Sequence, residues 1–382
     1  MSAPADPSPF LSLPAAVSAS GRDAGVAAHY GNPLVEQRRL VEGRAIVDLS
    51  HRAVLTITGQ ERLSWLNSIS SQNLVGLKAG ESSETLVLDH TGRLEHAARV
   101  VDDGHSLWLL LEGGESLGLL SWLQKMKFML RVEVADRTAE FATIGSLGPL
   151  PQELPVAESN GIRLVWQDPW VAVSPGGHQY ALAEEHPGAG WTWRESLVPR
   201  TQLDAVARAV ASGRTGVAGL LAVEALRIQA WRPRFATEVD EKTIPHELDW
   251  LRTAVSLEKG CYRGQETVAK VHNLGHPPRR LVMLHLDGSD SALPVPGDSV
   301  WLDRDGTRQD VGVITSSAMH YELGPIALAV IKRRTDPAAM LFVDAEGLVV
   351  SAAQEVVVPP DAGAEADVPR LARLGGVTRP TR

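Results

Sequence analysis

The spacing of apolar and polar positions changes often along this chain, which predicts a succession of short strands and helices. The segments "RAIVDLS" and "VLTITG" are rich in β-branched residues and predict strands, the second of which ends at Gly59. The segment "ERLSWLNSI" that follows has helical spacing. Turn residues at 89–92 separate two further apolar runs and predict a β-hairpin. Because strands joined by tight turns pair antiparallel, we expect an α+β fold with mainly antiparallel sheets.

The second half of the chain divides into two stretches of different character. A Pro- and Gly-rich break near residue 150 predicts a domain boundary. Two helices are expected over 200–212 and 217–231. Before them we expect three short strands, in the segments "IRLVWQ", "WVAVS" and "QYALAE". From Arg279 onward the chain is mostly strand with Gly, Pro and Asp turns, which predicts a small barrel or sandwich as the last domain.

Both ends of the chain differ in composition from its middle. Residues 1–25 are rich in Ala, Pro and Ser, and residues 359–382 are similarly biased, so we predict disordered tails. The N-terminal stretch opens without a basic region and does not resemble a signal peptide. No apolar run reaches the ~18–20 residues of a membrane span, so we expect no membrane partner.

Charge and cysteine content narrow the possible functions. The formal net charge of the 382-residue chain is −9, so a broad basic surface for nucleic acid is absent and direct nucleic-acid binding is not expected. The single cysteine, Cys261, excludes a disulfide within the chain and any metal site built from several of its own cysteines. A reducing cytoplasm is the expected location. The chain also lacks the usual nucleotide-binding and hydrolase motifs.

The cysteine lies in the segment "KGCYRGQE", whose residues are mostly polar. A structural cysteine prefers apolar neighbours, whereas Cys261 has Lys259 close by in the sequence. The residues after it predict a helix, and the positive end of that helix would favour a thiolate. We therefore take Cys261 and Lys259 as candidate reactive residues, with a packed cysteine as the alternative. Gly264 permits close approach of a ligand or another segment, and Gln265 and Glu266 either contact a ligand or begin the helix.

A second set of candidates lies upstream. Arg227 and Gln229 are ~200° apart in a continuous helix and share a pocket only if the chain leaves the helix at Arg227. Planar and cationic side chains follow at Trp231, Arg232, Arg234 and Phe235. Such groups suit a flat heteroaromatic ligand that carries carboxylates.

These two regions, with the later strand pattern "DVGVITSSA…GPIALAVIKR", resemble the YgfZ family, folate-binding relatives of the glycine-cleavage aminomethyltransferase. The resemblance covers roughly residues 35–350. It implies a three-domain cloverleaf whose first two domains bind tetrahydrofolate and whose third is a small β-barrel. The implied domains are 35–150, 151–275 with "KGCYRGQE", and 277–355. Members of the family support assembly or repair of iron–sulfur proteins, which makes such enzymes or their assembly factors the expected partners.

The resemblance also assigns roles to individual residues. It implies that Cys261 is the functional thiol, which would either ligate a cluster iron transiently or undergo thiol chemistry with a partner, and that no other metal site is expected. Arg227 and Gln229 would hold tetrahydrofolate, and Arg279 or Arg280 would face its glutamate tail. Further folate contacts are expected from Tyr262, Gly264, Gln265 and Glu266.

One stretch departs from true aminomethyltransferases, which carry an essential Asp-Asp pair. The matching stretch here is "GRLEHAARV", with Glu95, His96 and Ala97 at and around the pair. We therefore expect folate binding without aminomethyl transfer. The alternatives are a one-carbon transferase that uses Glu95 or His96 as the acid, and an interaction protein that needs no folate.

Overall fold

The fold is taken from a computed structural model that describes residues 7–150, 154–289 and 292–366. The α-helices of this part of the chain are α1 Pro33–Val41, α2 Arg62–Ile69, α3 Ser116–Met126, α4 Leu203–Ala211, α5 Leu220–Gln229, α6 Phe235–Glu238 and α7 Gln265–Leu274. The first ten strands are β1 Ala16–Ser18, β2 Ala27–Tyr30, β3 Ala45–Asp48, β4 Ala53–Thr58, β5 Ser82–Leu88, β6 Leu94–Asp102, β7 Ser106–Leu111, β8 Glu133–Asp136, β9 Phe141–Leu147 and β10 Glu158–Ser159. The later strands are β11 Ile162–Arg163, β12 Val165–Gln167, β13 Trp193–Pro199, β14 Gly216–Ala218, β15 Arg279–Leu286, β16 Ser299–Arg304, β17 Thr307–His320, β18 Gly324–Lys332, β19 Leu341–Ala345 and β20 Leu348–Val356. Short 3-10 turns occur at Pro9–Ser12, Gly21–Asp23, Pro169–Val171, Pro187–Gly190, Arg200–Gln202, Pro245–Leu248 and Trp250–Arg252.

Two five-stranded sheets form the first part of the molecule. One has the order β5-β6-β7-β4-β8 and is antiparallel throughout. Its central strand β7 is buried at every position, which explains its continuous apolar sequence. The other has the order β12-β13-β9-β3-β14, in which β14 pairs with β3 in parallel. That parallel pair joins residues about 170 positions apart. Because α5 begins directly after β14, the pairing places the start of α5 near β3.

The C-terminal domain is a closed barrel of six strands, in the order β15-β18-β17-β16-β19-β20. Alternation along β15 shows how it joins the rest of the molecule. Val282 and Leu284 are buried in the barrel interior. Leu281 and Met283 point the other way and belong to the main core shared with the two sheets. The prediction of an α+β fold with mainly antiparallel sheets and a C-terminal barrel is confirmed.

The chain ends differ from the prediction. We predicted disorder over 1–25, but residues 7–25 are built into the fold, and Phe10 is fully buried against Ile46, Ile144 and Val198. The composition of the segment gave a wrong prediction because two apolar side chains, Phe10 and Leu13, are enough to anchor it to the core. Of the second predicted tail, 359–382, residues 359–366 pack on α7, with the Glu365 amide donating to the His272 carbonyl at 2.9 Å. Residues 1–6 and 367–382 lie outside the described part of the chain.

Several local predictions need correction. The segment "QYALAE" is not a strand, because the Tyr180 amide donates to the Asp249 side chain at 2.6 Å rather than to a neighbouring strand. The segment "WVAVS" begins in the 3-10 turn Pro169–Val171. The helix expected from residue 217 begins at Leu220, after strand β14. None of the described helices has both the length and the apolar character to cross a bilayer.

Candidate functional site

A cavity of about 570 Å³, counting its open mouth, lies where the two five-stranded sheets meet α5 and the segment after it. Strands β5 and β6 contribute from one sheet and β13 from the other. Its charged lining residues are Arg52, Glu84, Arg99, Glu112, Asp168, Glu195, Glu224, Arg227, Arg232 and Arg234. Five arginines therefore face five carboxylates, so the formal charges of the wall cancel.

Ion pairs connect these residues into a network. Arg232 donates to Glu84 at 2.6 Å and to Asp168 at 3.0 Å. Arg234 donates to Glu112 at 2.8 Å, and Arg99 approaches the same carboxylate at 2.7 Å. Because such buried charges are costly unless they are paired, each acid fixes the arginine beside it and the wall is preorganised.

The network keeps Glu112 and Arg234 in their charged forms. Burial alone would raise the pKa of Glu112, but the charges of Arg234, Arg52 and Arg99 outweigh it and hold that pKa well below its usual value. In return, Glu112 and Glu224 keep the pKa of Arg234 well above its usual value despite burial. The Glu112–Arg234 pair is therefore ionised at neutral pH.

Three tryptophans form the flat part of the wall, and each indole N–H donates to a carboxylate of the cavity. The pairs are Trp191 with Asp168 at 2.8 Å, Trp193 with Glu195 at 3.1 Å and Trp250 with Glu84 at 3.3 Å. The rings of Trp191 and Trp193 stack at 5.4 Å. Gly145 makes room for them, since a Cβ there would lie 2.4 Å from the Trp193 ring. The indole planes are thus fixed in orientation.

Three polar atoms of this wall are buried and have no hydrogen-bond partner among the described residues: Glu195 Oε2, Arg52 Nε and Arg232 Nη1. Buried polar groups are nearly always paired, so unpaired atoms at a cavity call for an explanation. One acceptor and two donors beside fixed indole rings suit a flat ligand that has both N–H and carbonyl groups.

Of the predicted site residues, Arg227 lines the cavity. Its guanidinium donates to Glu224 at 2.6 Å and to Glu238 at 3.1 Å. Gln229 does not join it, because α5 continues through both residues and turns them to different sides. The Gln229 side chain instead contacts His320 at 3.1 Å. The expectation that Arg227 and Gln229 share one pocket is therefore wrong.

The two arginines expected near a glutamate tail are also placed elsewhere. Arg279 pairs with Asp240 at 2.6 Å and Glu247 at 2.8 Å. Arg280 is fully buried in the barrel, where its Nη2 donates to the Thr335 carbonyl at 2.9 Å. Neither arginine lines the cavity, because alternation along β15 sends one to the neighbouring acids and the other inward.

The "KGCYRGQE" segment lies outside the residues that line the cavity. Cys261 is exposed, which excludes the packed alternative. Lys259 Nζ donates to three backbone carbonyls, including that of Ser70 at 2.7 Å and that of Gln72 at 2.9 Å. Burial lowers the pKa of Lys259 to about 8. Lys259 thus fastens the segment to the loop after α2, and Gln265 donates back to the Lys259 carbonyl at 3.3 Å.

The remaining residues of this segment have structural contacts. Tyr262 is buried in the main core, 5.0 Å from Lys259 Nζ measured to its ring centre. Gly264 has a φ of +85° and precedes α7. A Cβ on Gly264 would lie 2.6 Å from the Asp89 carbonyl oxygen, so glycine allows the β5–β6 hairpin to approach. Glu266 is exposed in the first turn of α7.

Comparison with solved structures identifies the architecture. The glycine cleavage system aminomethyltransferase T from Bartonella henselae superposes with a TM-score of 0.68, covering 91% of this chain and 94% of that one at 17% identity. The chain has the aminomethyltransferase fold. The fold that the resemblance implied is confirmed, and no protein-family model matches the chain.

Sequence relatives agree with this fold. The chain is 27% identical over 303 residues to the Arabidopsis thaliana protein named "Putative transferase At1g60990, chloroplastic", covering 74% of this chain. That match spans 65% of the Arabidopsis protein, slightly less than two thirds of its length. An aminomethyltransferase from Symbiobacterium thermophilum is 24% identical over 269 residues, which cover 67% of this chain and 71% of that protein.

In this aminomethyltransferase fold, the stretch where the acidic pair was expected places no carboxylate in the cavity. Strand β6 contributes Ala97, Ala98 and Arg99 to its lining. Glu95 forms an ion pair with Arg263 at 2.6 Å, and His96 contacts Glu115 at 3.3 Å. Within the described residues, no group of three or more His, Cys, Asp or Glu side chains is arranged to hold a metal ion.

The cavity acids were missed in the sequence because they lie far apart in it. Arg232, Arg234 and Phe235 were noticed as planar and cationic groups, and the structure brings them to the cavity. A signal for the acids did exist: Glu112 and Glu195 interrupt or end apolar strand segments, and both are buried. A charge at such a position indicates a buried partner.

Proposed function

We propose that the cavity binds tetrahydrofolate and that the protein is a folate-binding accessory factor of the YgfZ type for iron–sulfur proteins. The observation that carries the first part is the set of three unpaired polar atoms beside fixed indole rings, in a chain with the aminomethyltransferase fold. The second part rests on the exposed thiol of Cys261.

The chemistry of the wall suits a reduced pterin. Such a ring carries N–H groups and a carbonyl along one edge and can stack on an indole. Glu195 Oε2 is available to accept from the N–H groups, and Arg52 Nε and Arg232 Nη1 are available to donate to the carbonyl. These three residues would hold the ring and orient it. Arg227 would support the binding of the ring indirectly, because its ion pair fixes Glu224 in the cavity wall.

Aminomethyl transfer is the less favoured function. It would need an acid at the cavity face of β6, where the lining residues of this chain are Ala97, Ala98 and Arg99. Glu95 forms an ion pair with Arg263, and neither residue lines the cavity. Binding without turnover is therefore expected.

Cys261 would serve as the functional thiol toward a protein partner. It is exposed and lies on a segment that Lys259 fixes in place, so a large partner can reach it. Because the chain has one cysteine, any cluster contact at Cys261 would be shared with the partner. A free thiol of this kind agrees with a reducing cytoplasm as the location.

Isothermal titration with tetrahydrofolate tests the first part. Wild-type protein should bind one equivalent, and Glu195→Gln should weaken binding by about tenfold or more, since it changes the unpaired acceptor and its ion pairs. The matched control is Glu133→Gln on the exposed edge strand β8, which should bind like wild type. Absence of binding to the wild type, or turnover of an aminomethyl donor at catalytic rates, would contradict the proposal.

Complementation tests the second part. In cells that lack the gene, Cys261→Ala should fail to restore iron–sulfur enzyme activity while it still binds tetrahydrofolate. Full restoration by Cys261→Ala would show that the thiol is not the functional group. The two parts are therefore separable, because one is read from binding and the other from client activity.

A further inference from the structure

The barrel carries a second cleft, of about 960 Å³ counting its open mouth, which the proposed function does not use. Its charged lining residues are Arg304, Lys332, Arg334 and Asp336. Three cations face one carboxylate, so the wall has a formal excess of two positive charges on a chain whose net charge is −9. A local basic cleft on an acidic protein concentrates anions.

Behind one wall of this cleft lies a buried cation. Arg280 is fully buried, and its Nη2 donates to the carbonyl of Thr335, a residue of the cleft wall, and to Gln354 Oε1, both at 2.9 Å. Its Nε donates to the Arg333 carbonyl at 3.3 Å. All these acceptors are neutral, and no carboxylate of the described residues forms an ion pair with Arg280. A buried guanidinium without a counter-charge is unfavourable.

Two polar atoms in this region are buried and unpaired among the described residues: Arg280 Nη1 and Thr335 Oγ1. A purely structural role for Arg280 explains its other bonds. Together with Gln354, whose Nε2 donates to the Asp336 carbonyl at 2.8 Å, it fastens the β18–β19 loop to the barrel. That role leaves the unpaired atoms Arg280 Nη1 and Thr335 Oγ1 unexplained. It also means that the wall of the cleft is held in a fixed shape before any ligand binds.

We propose that this cleft binds a small phosphoryl anion with at least two negative charges, such as a pyrophosphate group. Thr335 Oγ1 would donate to it at the floor, and the exposed cations Arg304 and Arg334 would contact it at the rim. Arg280 would supply a fixed positive charge behind the wall. At neutral pH Arg280 is charged, because burial lowers its pKa only to about 10. Phosphoryl oxygens are the acceptors that several converging arginines and a hydroxyl recognise.

Titration of the full chain with inorganic pyrophosphate at low ionic strength tests this site. We expect saturable binding of one equivalent, with a Kd below about 1 mM, as for a few charge-assisted contacts. The double substitution Arg304→Gln/Arg334→Gln should weaken it at least about tenfold, and Thr335→Val should weaken it several-fold. Because both arginines are exposed, the double variant should keep the wild-type melting temperature without ligand.

The matched control is Arg308→Gln. Arg308 is an exposed barrel arginine that pairs with Asp310 and Asp344 and does not line the cleft. The Arg308→Gln variant should bind pyrophosphate with the affinity of the wild type. An equal loss in Arg308→Gln would show attraction by general surface charge and would overturn the site.

Three other outcomes would also overturn the proposal. They are no saturable binding to the wild type up to about 10 mM pyrophosphate, unchanged affinity in the double variant, and tighter binding of citrate than of pyrophosphate. The last result would assign the cleft to polycarboxylates instead. As a second readout, pyrophosphate should raise the melting temperature of the wild type and not that of the double variant.

Discussion

The guanidinium of Arg234 donates to the carboxylate of Asp23, 211 positions earlier in the chain, with Nη1 2.9 Å from Oδ2. His51 contacts the same carboxylate at 3.0 Å. Since Arg234 also binds Glu112 in the cavity wall, the N-terminal segment is joined to the candidate site through a single side chain. Residues 7–25 are therefore part of the site's supporting structure.

Removal of the negative charge of Asp23 should destabilise the protein. Burial would raise the pKa of Asp23, but hydrogen bonds from His51 and Arg234 and the charge of Arg234 outweigh it and lower that pKa. A lowered pKa stabilises the fold above the unfolded value of about 4, and this stabilisation is lost as pH falls below it. Asp23→Asn should reduce the free energy of unfolding by about 1–3 kcal/mol at pH 7. Urea denaturation measures it, with the exposed Glu241→Gln as control; equal stability of all three proteins would contradict the prediction.

Truncation of Phe10 separates an anchored N-terminal segment from a disordered one. Phe10 is fully buried in a cluster with Ile46 and Ile144. Phe10→Ala should therefore lower the free energy of unfolding by about 3–4 kcal/mol. Val17→Ala, at a side chain in the same segment that is 47% exposed, should change it by less than about 0.5 kcal/mol. If the two substitutions had equally small effects in thermal or urea unfolding, residues 7–25 would not be packed as described.

Gly264 should tolerate no side chain. Its φ of +85° is unfavourable for other residues, and a Cβ would lie 2.6 Å from the Asp89 carbonyl oxygen. Gly264→Ala should cost about 2–3 kcal/mol of unfolding free energy. Gly260, in the same segment, has open space around its Cβ position, so Gly260→Ala should be nearly neutral. Similar stabilities of the two variants would show that the hairpin and the "KGCYRGQE" segment do not depend on close backbone contact.

The pH dependence of the free energy of unfolding should reveal the protonation of the Asp249 carboxyl group. Burial raises the pKa of Asp249 to about 7, although the Tyr180 amide donates to it. The native state then binds one more proton than the unfolded state between about pH 4 and pH 7, so the free energy of unfolding falls as pH rises through that window. Between pH 5 and pH 8 the wild type should lose about 2–3 kcal/mol relative to Asp249→Asn.

A matched control exists for this experiment. Asp249 has a φ of +55°, which asparagine also accepts, and the exposed Asp305 has a φ of +54°. Asp305→Asn should leave the pH profile of the wild type unchanged. Parallel profiles for wild type and Asp249→Asn, measured by urea unfolding at each pH, would mean that Asp249 does not hold its proton near neutrality.

Local patterns predicted the fold well and the candidate site poorly, for a physical reason. The hairpin at 89–92, the α7 helix and the C-terminal strands follow from spacing and turn residues that lie within a few positions of one another. The N-terminal segment and the cavity depend on contacts across the chain. The pairs Arg232–Glu84 and Arg234–Asp23 join residues 148 and 211 positions apart. Nothing in the immediate sequence of either acid indicates which arginine it will meet.

The "KGCYRGQE" segment also shows how far a sequence motif predicts the residues of a binding site. Its polar character predicted an accessible thiol, and Cys261 is exposed. The family resemblance grouped Tyr262, Gly264, Gln265 and Glu266 with folate, whereas the structure gives the first three packing and anchoring contacts away from the cavity and leaves Glu266 exposed. A motif in sequence does not distinguish residues that meet a ligand from residues that hold the motif in shape.

The order of charges along the chain has a consequence for biosynthesis. All five cavity acids, Glu84, Glu112, Asp168, Glu195 and Glu224, are translated before Arg227, Arg232 and Arg234. A growing polypeptide that ends at residue 226 would have to bury five carboxylates with only two of the five arginines, which is unfavourable. The ribosome therefore synthesises all five acids before three of their counter-ions, so the full set of ion pairs forms only after translation has passed Arg234.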